Sequence, residues 1–192
     1  MGGSDHRTAY AEQSRSPSLA RACAVHIVPS MGTPLAFLLT FRTYGTWLHG
    51  DERGSVDRTH NAVGTPLLPP HAPRVEFERG CLRAPPLLFD ETMRGVVAAA
   101  FVDECRYRAW ELLAYAVRSN HAHVVVGYAG VGPGLMAGRM KARATCWLRE
   151  RGCIGADQPV WVDRGGSERW LWKPDDVVAA RAYVEDGQDM PR

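Results

Sequence analysis

The sequence predicts one α+β domain of the ferredoxin-like kind. That fold is a βαββαβ antiparallel sheet with helices on one face, followed here by one more helix at the C-terminal end. Three observations predict it. After residue 33 the elements run strand, helix, strand, strand, helix, strand, the order of the split βαβ arrangement. The clearer helical pattern, 90–109, carries a single apolar stripe, so that helix has one side to bury. In the strand that begins at His121, Ala122, Val124 and Val126 alternate with the histidines, so one face of the sheet asks for a helical cover.

Composition sets the limits. The chain has 192 residues, 45% hydrophobic and 23% charged, with a formal net charge of +2. These are ordinary values for a globular domain. A strongly basic nucleic-acid binder is not what the bulk charge describes, although only Lys141 and Lys173 are lysines among 23 basic residues. Arginine suits bidentate phosphate contacts. No apolar run reaches the roughly 20 residues that span a bilayer, and no charged-then-apolar leader is read. The five cysteines are scattered without a CxxC pair. Neither a zinc ribbon nor a disulfide framework is indicated, and a reducing cytoplasm is expected.

Residues 1–33 mix Gly, Ser, Arg and Ala without period and are expected to be a disordered tail. The single domain is expected over 34–192. Residues 35–43 (LAFLLTFRT) read as a largely buried central strand. Residues 44–86 are rich in Gly, Pro, His and Arg and are expected to form a long irregular insertion. In 90–109, Asp90 is the expected N-cap, with Met93, Val96, Val97, Ala100, Phe101 and Cys105 forming the stripe. Residues 111–118 and 121–128 read as strands joined by Ser119-Asn120, a hairpin turn. A second helix is expected over 134–151, with Met136, Met140 and Trp147 toward the core and Arg139, Lys141 and Arg143 outward. Short strand pieces are expected over 160–172. A last helix starts at Pro174, a favoured first position, and runs to Gly187.

Three constellations carry chemistry. His121 and His123 project from one strand to the same face, and two neutral imidazoles can share a divalent cation. A bare HxH reads more readily as two half-exposed strand histidines without a ligand, since two histidines seldom suffice to hold a metal. Tyr183, in the last helix, reads as a boundary aromatic, or beside a cation as a nucleophile. Arg139, Lys141, Arg143, Arg149 and Arg151, with tryptophans nearby, read either as a solvated helix face or as a grip on a single strand. No phosphate-binding loop, GxGxxG, HExxH or GxSxG is present.

In four stretches the chain resembles the single-tyrosine HUH transposases, including the REP-associated tyrosine transposases. They are LAFLLTFRTYGTWLHGDERGSVDR (35–58), LLAYAVRSNHAHVVV (112–126), GLMAGRMKARATCWLRERG (134–152), and VWVDRGGSERWLW with the tyrosine helix (160–188). The resemblance implies that His121 and His123 hold Mg²⁺ or Mn²⁺ together with a polar ligand one turn after Tyr183; Gln188 is the expected third ligand here, with Asp186 or water as alternatives. It implies Tyr183 as the nucleophile that cuts single-stranded DNA and keeps a 5′-phosphotyrosyl link. Arg42, Arg139, Lys141, Arg143 and Trp147 are the expected DNA-binding residues, and single-stranded or hairpin DNA is the expected partner. A homodimer stays open.

Three departures qualify that pattern, the mildest being Ala122, which replaces a bulkier hydrophobe but faces away from the histidines. Gly187 stands one helical turn after Tyr183, where relatives carry a polar ligand, and the Asn-Pro that often follows the tyrosine is replaced by Asp186-Gly187-Gln188. Two other classes therefore stay open: a domesticated hairpin-DNA-binding protein without cleavage, and a metal-dependent phosphodiesterase that does not use Tyr183.

Overall fold

The computed structural model describes residues 32–55, 68–162 and 166–186. The described elements are β1 (Ala36–Arg42), α1 (Ala72–Gly80), α2 (Glu91–Arg108), β2 (Leu112–Val117), β3 (His121–Gly127), α3 (Pro133–Glu150), β4 (Ser167–Leu171) and α4 (Pro174–Glu185). Four strands form one sheet in the order β2-β3-β1-β4, and every described pairing is antiparallel. This is the order that two βαβ units make when interleaved, so the expected fold class holds. Among the described residues no helix is long and apolar enough to cross a membrane.

Alternation along β1 and β3 divides the side chains between two faces. Phe37, Leu39 and Phe41 lie opposite Val126, Val124 and Ala122. All six are buried, together with Val97, Ala100 and Phe101 of α2 and Met136, Met140, Ala144 and Leu148 of α3. Both helices therefore cover this face. Trp161 joins the same core, with its ring 5.5 Å from Phe89 and 5.8 Å from Phe41 between centroids. The other face carries Ala36, Leu38, Val125, Ala114 and Leu171, buried beneath Ala180 and Val184 of α4.

Local chemistry places the helix ends. The Asp90 carboxylate accepts from the Met93 backbone N–H at 2.8 Å and caps α2. Pro174 opens α4, where the Asp176 carboxylate accepts from the Lys173 N–H at 3.3 Å. Between α2 and α3, the buried Glu104 carboxylate takes Arg108 and Arg143, each at 3.1 Å. This satisfies a charge that would otherwise be costly to bury.

Among its described residues, the segment expected to be irregular holds an element of its own, α1. Its N-terminus is capped by the His71 side chain, and it buries no residue. A helix without a buried stripe leaves no period in the sequence, which is why none was visible. Of the expected tail, residues 1–31 lie outside the described residues.

The end of α2 gives a measurable consequence. Ala109 closes it with φ of 55°, a left-handed conformation that costs an L-residue about 1–2 kcal/mol and costs glycine far less. Ala109→Gly should raise the unfolding free energy in urea by about 0.5–1 kcal/mol, after the extra freedom of glycine in the unfolded chain is subtracted. A variant no more stable than the parent would contradict this reading of the cap.

Candidate active site on the sheet face

The face under α4 has an apolar half and a polar half. At Leu38–Val125 it is sealed by α4. One step further along β1 and β3 come Thr40 opposite His123, then Arg42 opposite His121. These four side chains leave the sheet on the same side, because they sit at alternate positions of paired strands.

The helix that closes the apolar half also delivers the phenol. Val177, Ala180 and Val184 meet the sheet at spacings of three and four residues. Tyr183 sits three residues beyond Ala180, at the edge of that stripe. Its ring centroid lies 5.4 Å from that of His123, edge to face. The His123 and His121 centroids are 5.0 Å apart. Two imidazoles and a phenol of one chain therefore share one patch. His123 is only 7% exposed and Tyr183 is 37% exposed, so the imidazole is held by its surroundings while the phenol meets solvent.

Each imidazole is braced through Nδ1. Thr40 Oγ1 lies 2.9 Å from His123 Nδ1, and Asn120 Oδ1 lies 2.7 Å from His121 Nδ1. An amide oxygen only accepts, so His121 Nδ1 carries the proton and the lone pair of the neutral ring sits on Nε2. A hydrogen bond of this kind fixes tautomer and ring orientation in histidines that hold metals. Asn120 is itself tied down, since its carbonyl accepts from the Thr43 N–H and from Thr43 Oγ1, both at 3.0 Å.

The donor set fits a cation in part. Two neutral imidazoles on one face suit a divalent ion, but hard cations such as Mg²⁺ prefer oxygen. Among the described residues no group of three or more His, Cys, Asp or Glu gathers anywhere. Gln188, the expected third ligand, lies outside the described residues, as does Gly187.

Beside His121 stands a layered cationic cluster. The Arg42 guanidinium lies 3.6 Å from the centroid of the Trp47 ring, and that of Arg53 lies 4.4 Å from it. Arg53 is clamped to Asp51 through two bonds of 2.7 Å. Burial, and then the charge of Arg53, push the Arg42 guanidinium below its usual range. The hydrogen bonds from Arg53 hold the Asp51 carboxyl below its own.

The DNA-binding residues expected from sequence do not gather on one surface. Arg42 is on the face of the imidazoles. Arg139, Lys141, Arg143 and Trp147 belong to α3, which covers the opposite face. Arg143 bonds Glu104 at 3.1 Å and approaches Asp103 at 3.3 Å. Lys141 Nζ donates to the Val162 carbonyl at 3.3 Å. Trp147 packs on the core with Arg151 over its ring. Arg139 is exposed. Sequence reasoning missed Thr40, Asn120 and the Trp47–Arg53–Asp51 cluster. Asn120, a polar residue directly preceding HxH, was the one with a readable signal.

No protein-family profile and no curated protein matches the chain. Solved structures do. One is a REP-associated tyrosine transposase bound to a REP hairpin, 12% identical, with a TM-score of 0.42 over 79% of this chain and 64% of that one. Another is a candidate transposase from Deinococcus radiodurans R1, 12% identical, with a TM-score of 0.45 over 80% of this chain and 91% of that one. The chain thus spans about two thirds of the length of the first.

The bracing of His121 is directly observable. Long-range proton–nitrogen spectra of the imidazoles at mildly alkaline pH should show His121 as the Nδ1–H tautomer. Asn120→Ala should shift it toward the tautomer mixture of a free imidazole. An Nε2–H tautomer in the parent chain would refute the assignment.

Proposed function

We propose that the chain is a transposase of the HUH single-tyrosine kind, a metal-dependent endonuclease and strand transferase acting on single-stranded or hairpin DNA. One observation carries this reading: Tyr183 meets His123, and His123 meets His121, on one patch of one chain. Three core-facing residues of α4 and the alternation of β3 produce that meeting, so it follows from the packing of the fold.

Tyr183 Oη is the nucleophile. It attacks the phosphorus of a phosphodiester, and the bond from phosphorus to the 3′ oxygen breaks. The products are a 5′-phosphotyrosyl link and a free 3′-hydroxyl, which takes up the proton lost by the phenol. In the second step a 3′-hydroxyl attacks the phosphotyrosyl ester, releases the phenol and joins the strands. The ester keeps the bond energy, so joining needs no nucleotide cofactor. His121 and His123 would hold Mg²⁺ or Mn²⁺, with Gln188 as a third ligand. Such an ion polarises a phosphoryl oxygen and offsets charge that builds up in the transition state. Thr40 and Asn120 hold the two rings in place, and the partial exposure of Tyr183 leaves its oxygen open to an incoming strand.

A second reading has one observation in its favour. With no carboxylate gathered at the imidazoles among the described residues, a DNA-binding protein that does not cleave would need nothing further from this patch.

The two readings separate in one assay. Labelled single-stranded DNA carrying the sequences on either side of the gene is incubated with Mn²⁺, and the covalent adduct is followed on denaturing gels. A Mn²⁺-dependent adduct is expected, lost in Tyr183→Phe and in His123→Ala. Thr40→Val should lower its rate about 10–100-fold, as for other residues that brace a metal ligand. An adduct that persists in Tyr183→Phe would exclude the proposed nucleophile. Metal-independent hairpin binding with no adduct would favour the second reading.

A further inference from the structure

We propose that Arg42, held over the Trp47 ring beside His121, is a phosphate-binding residue for the DNA strand that enters the Tyr183 site, with Trp47 as the residue that positions it. This rests on the functional reading above and adds to it a binding residue and its support.

Register puts Arg42 directly across from His121 on the face that carries His123 and the phenol. Facing residues of an antiparallel pair have Cβ atoms about 4.5–5.5 Å apart. A group bound by the Arg42 guanidinium is therefore a neighbour of whatever the imidazoles hold. The guanidinium is fixed in orientation because the plane beneath it is fixed: Trp47 Nε1 donates to the Gly54 carbonyl at 2.9 Å, and the guanidinium centre lies 3.6 Å from the ring centroid.

Arg53, the other cation on this indole, is engaged. Both of its bonds to Asp51 are 2.7 Å, and Nη2 also donates to the Thr46 carbonyl at 2.9 Å. Arg42 has no such acceptor: among the described residues neither a carboxylate nor a carbonyl takes a hydrogen bond from it. Contact with an indole ring satisfies none of the five N–H donors of a guanidinium, which still need acceptors. The planar fork matches two oxygens of a phosphate. Asp51 is hydrogen-bonded to Arg53 and acts on Arg42 only through space, so among the described residues Arg42 is the cation of this cluster whose donors stay open, next to the imidazoles.

Salt dependence tests this without cleavage. Binding of a fluorescein-labelled oligothymidylate is followed by anisotropy across a range of KCl concentrations, in EDTA, with Tyr183→Phe as the parent chain. Each phosphate contact contributes about 0.7 to the slope of log affinity against log salt for a single strand. Arg42→Gln should flatten the slope by about 0.7 and weaken binding about tenfold, the scale of a charge-assisted hydrogen bond. Arg42→Lys keeps the charge but not the fork, so it should keep the slope and still lose affinity. Trp47→Leu should lose affinity with Arg42 intact, and Trp47→Phe should restore most of it. Arg106→Gln, on the exposed side of α2, should match the parent. Thermal melts of each variant exclude loss of folding as the cause.

An unchanged slope in folded Arg42→Gln would overturn the proposal, and so would a parent chain that does not bind the strand. The proposed chemistry fails separately. An Arg42-dependent slope in a chain that forms no Tyr183 adduct keeps the phosphate site and loses the nuclease. An adduct with an unchanged slope does the reverse.

Discussion

The site depends on register between two strands. His121 and His123 face outward because Ala122, Val124 and Val126 must face inward, onto Phe37, Leu39 and Phe41 and under α2 and α3. A one-residue slip of β3 would send both imidazoles into that core and the valines out of it. Burial of a valine or phenylalanine side chain is worth about 1.5–3 kcal/mol, so several such residues resist the slip together. The same core therefore sets the polar row on the other face: Thr40 with His123, then Arg42 with His121. Aligning the imidazoles requires no dedicated interaction of their own, and the short bonds from Thr40 and Asn120 only have to fix how each ring is turned.

The second element is the division of that face by α4. Its small and β-branched residues, Ala180 and Val184, lie close on Leu38, Val125 and Ala114, while Tyr183 of the same helix meets His123 of the polar half. Tyr183 marks that boundary. A residue at the edge of a buried stripe has its ring partly held and its polar end partly in water, which is what the proposed attack on an incoming strand would require of Tyr183. The loop after β1 supplies the remaining side of the patch. Thr43 fastens it to the β2–β3 turn, the turn that also bears Asn120. One hydrogen-bonded corner thus ties the bracing of His121 to the cluster of Arg42, Trp47 and Arg53.

Much of this was legible in the sequence, and the boundary of legibility has a physical cause. Features set by near neighbours could be read: the Asp90 cap, the stripe from Val97 to Cys105, the proline that opens α4, and the shared side of His121 and His123. Features set by register could not. Thr40 lies 83 residues from His123, and nothing local distinguishes it from any other threonine in a strand. The basic residues of α3 show the converse. Their spacing put Arg139, Lys141 and Arg143 on the outer side of a helix, but only Arg139 is exposed there: Lys141 turns back onto the Val162 carbonyl and Arg143 onto Glu104 of α2. Helix α1 escaped notice because it buries nothing. Gln188, the expected third ligand in place of Gly187, lies outside the described residues.

The convergence of two imidazoles and one phenol on a single cation can be tested most directly by paramagnetic broadening. Mn²⁺ is titrated into the chain with isotope-labelled histidine and tyrosine, and the ring signals are followed. The account predicts that His121, His123 and Tyr183 broaden together at the lowest Mn²⁺ additions, ahead of the remaining histidines and tyrosines. Broadening of the two histidines with a sharp Tyr183 signal, or no preference for these three rings, would contradict it.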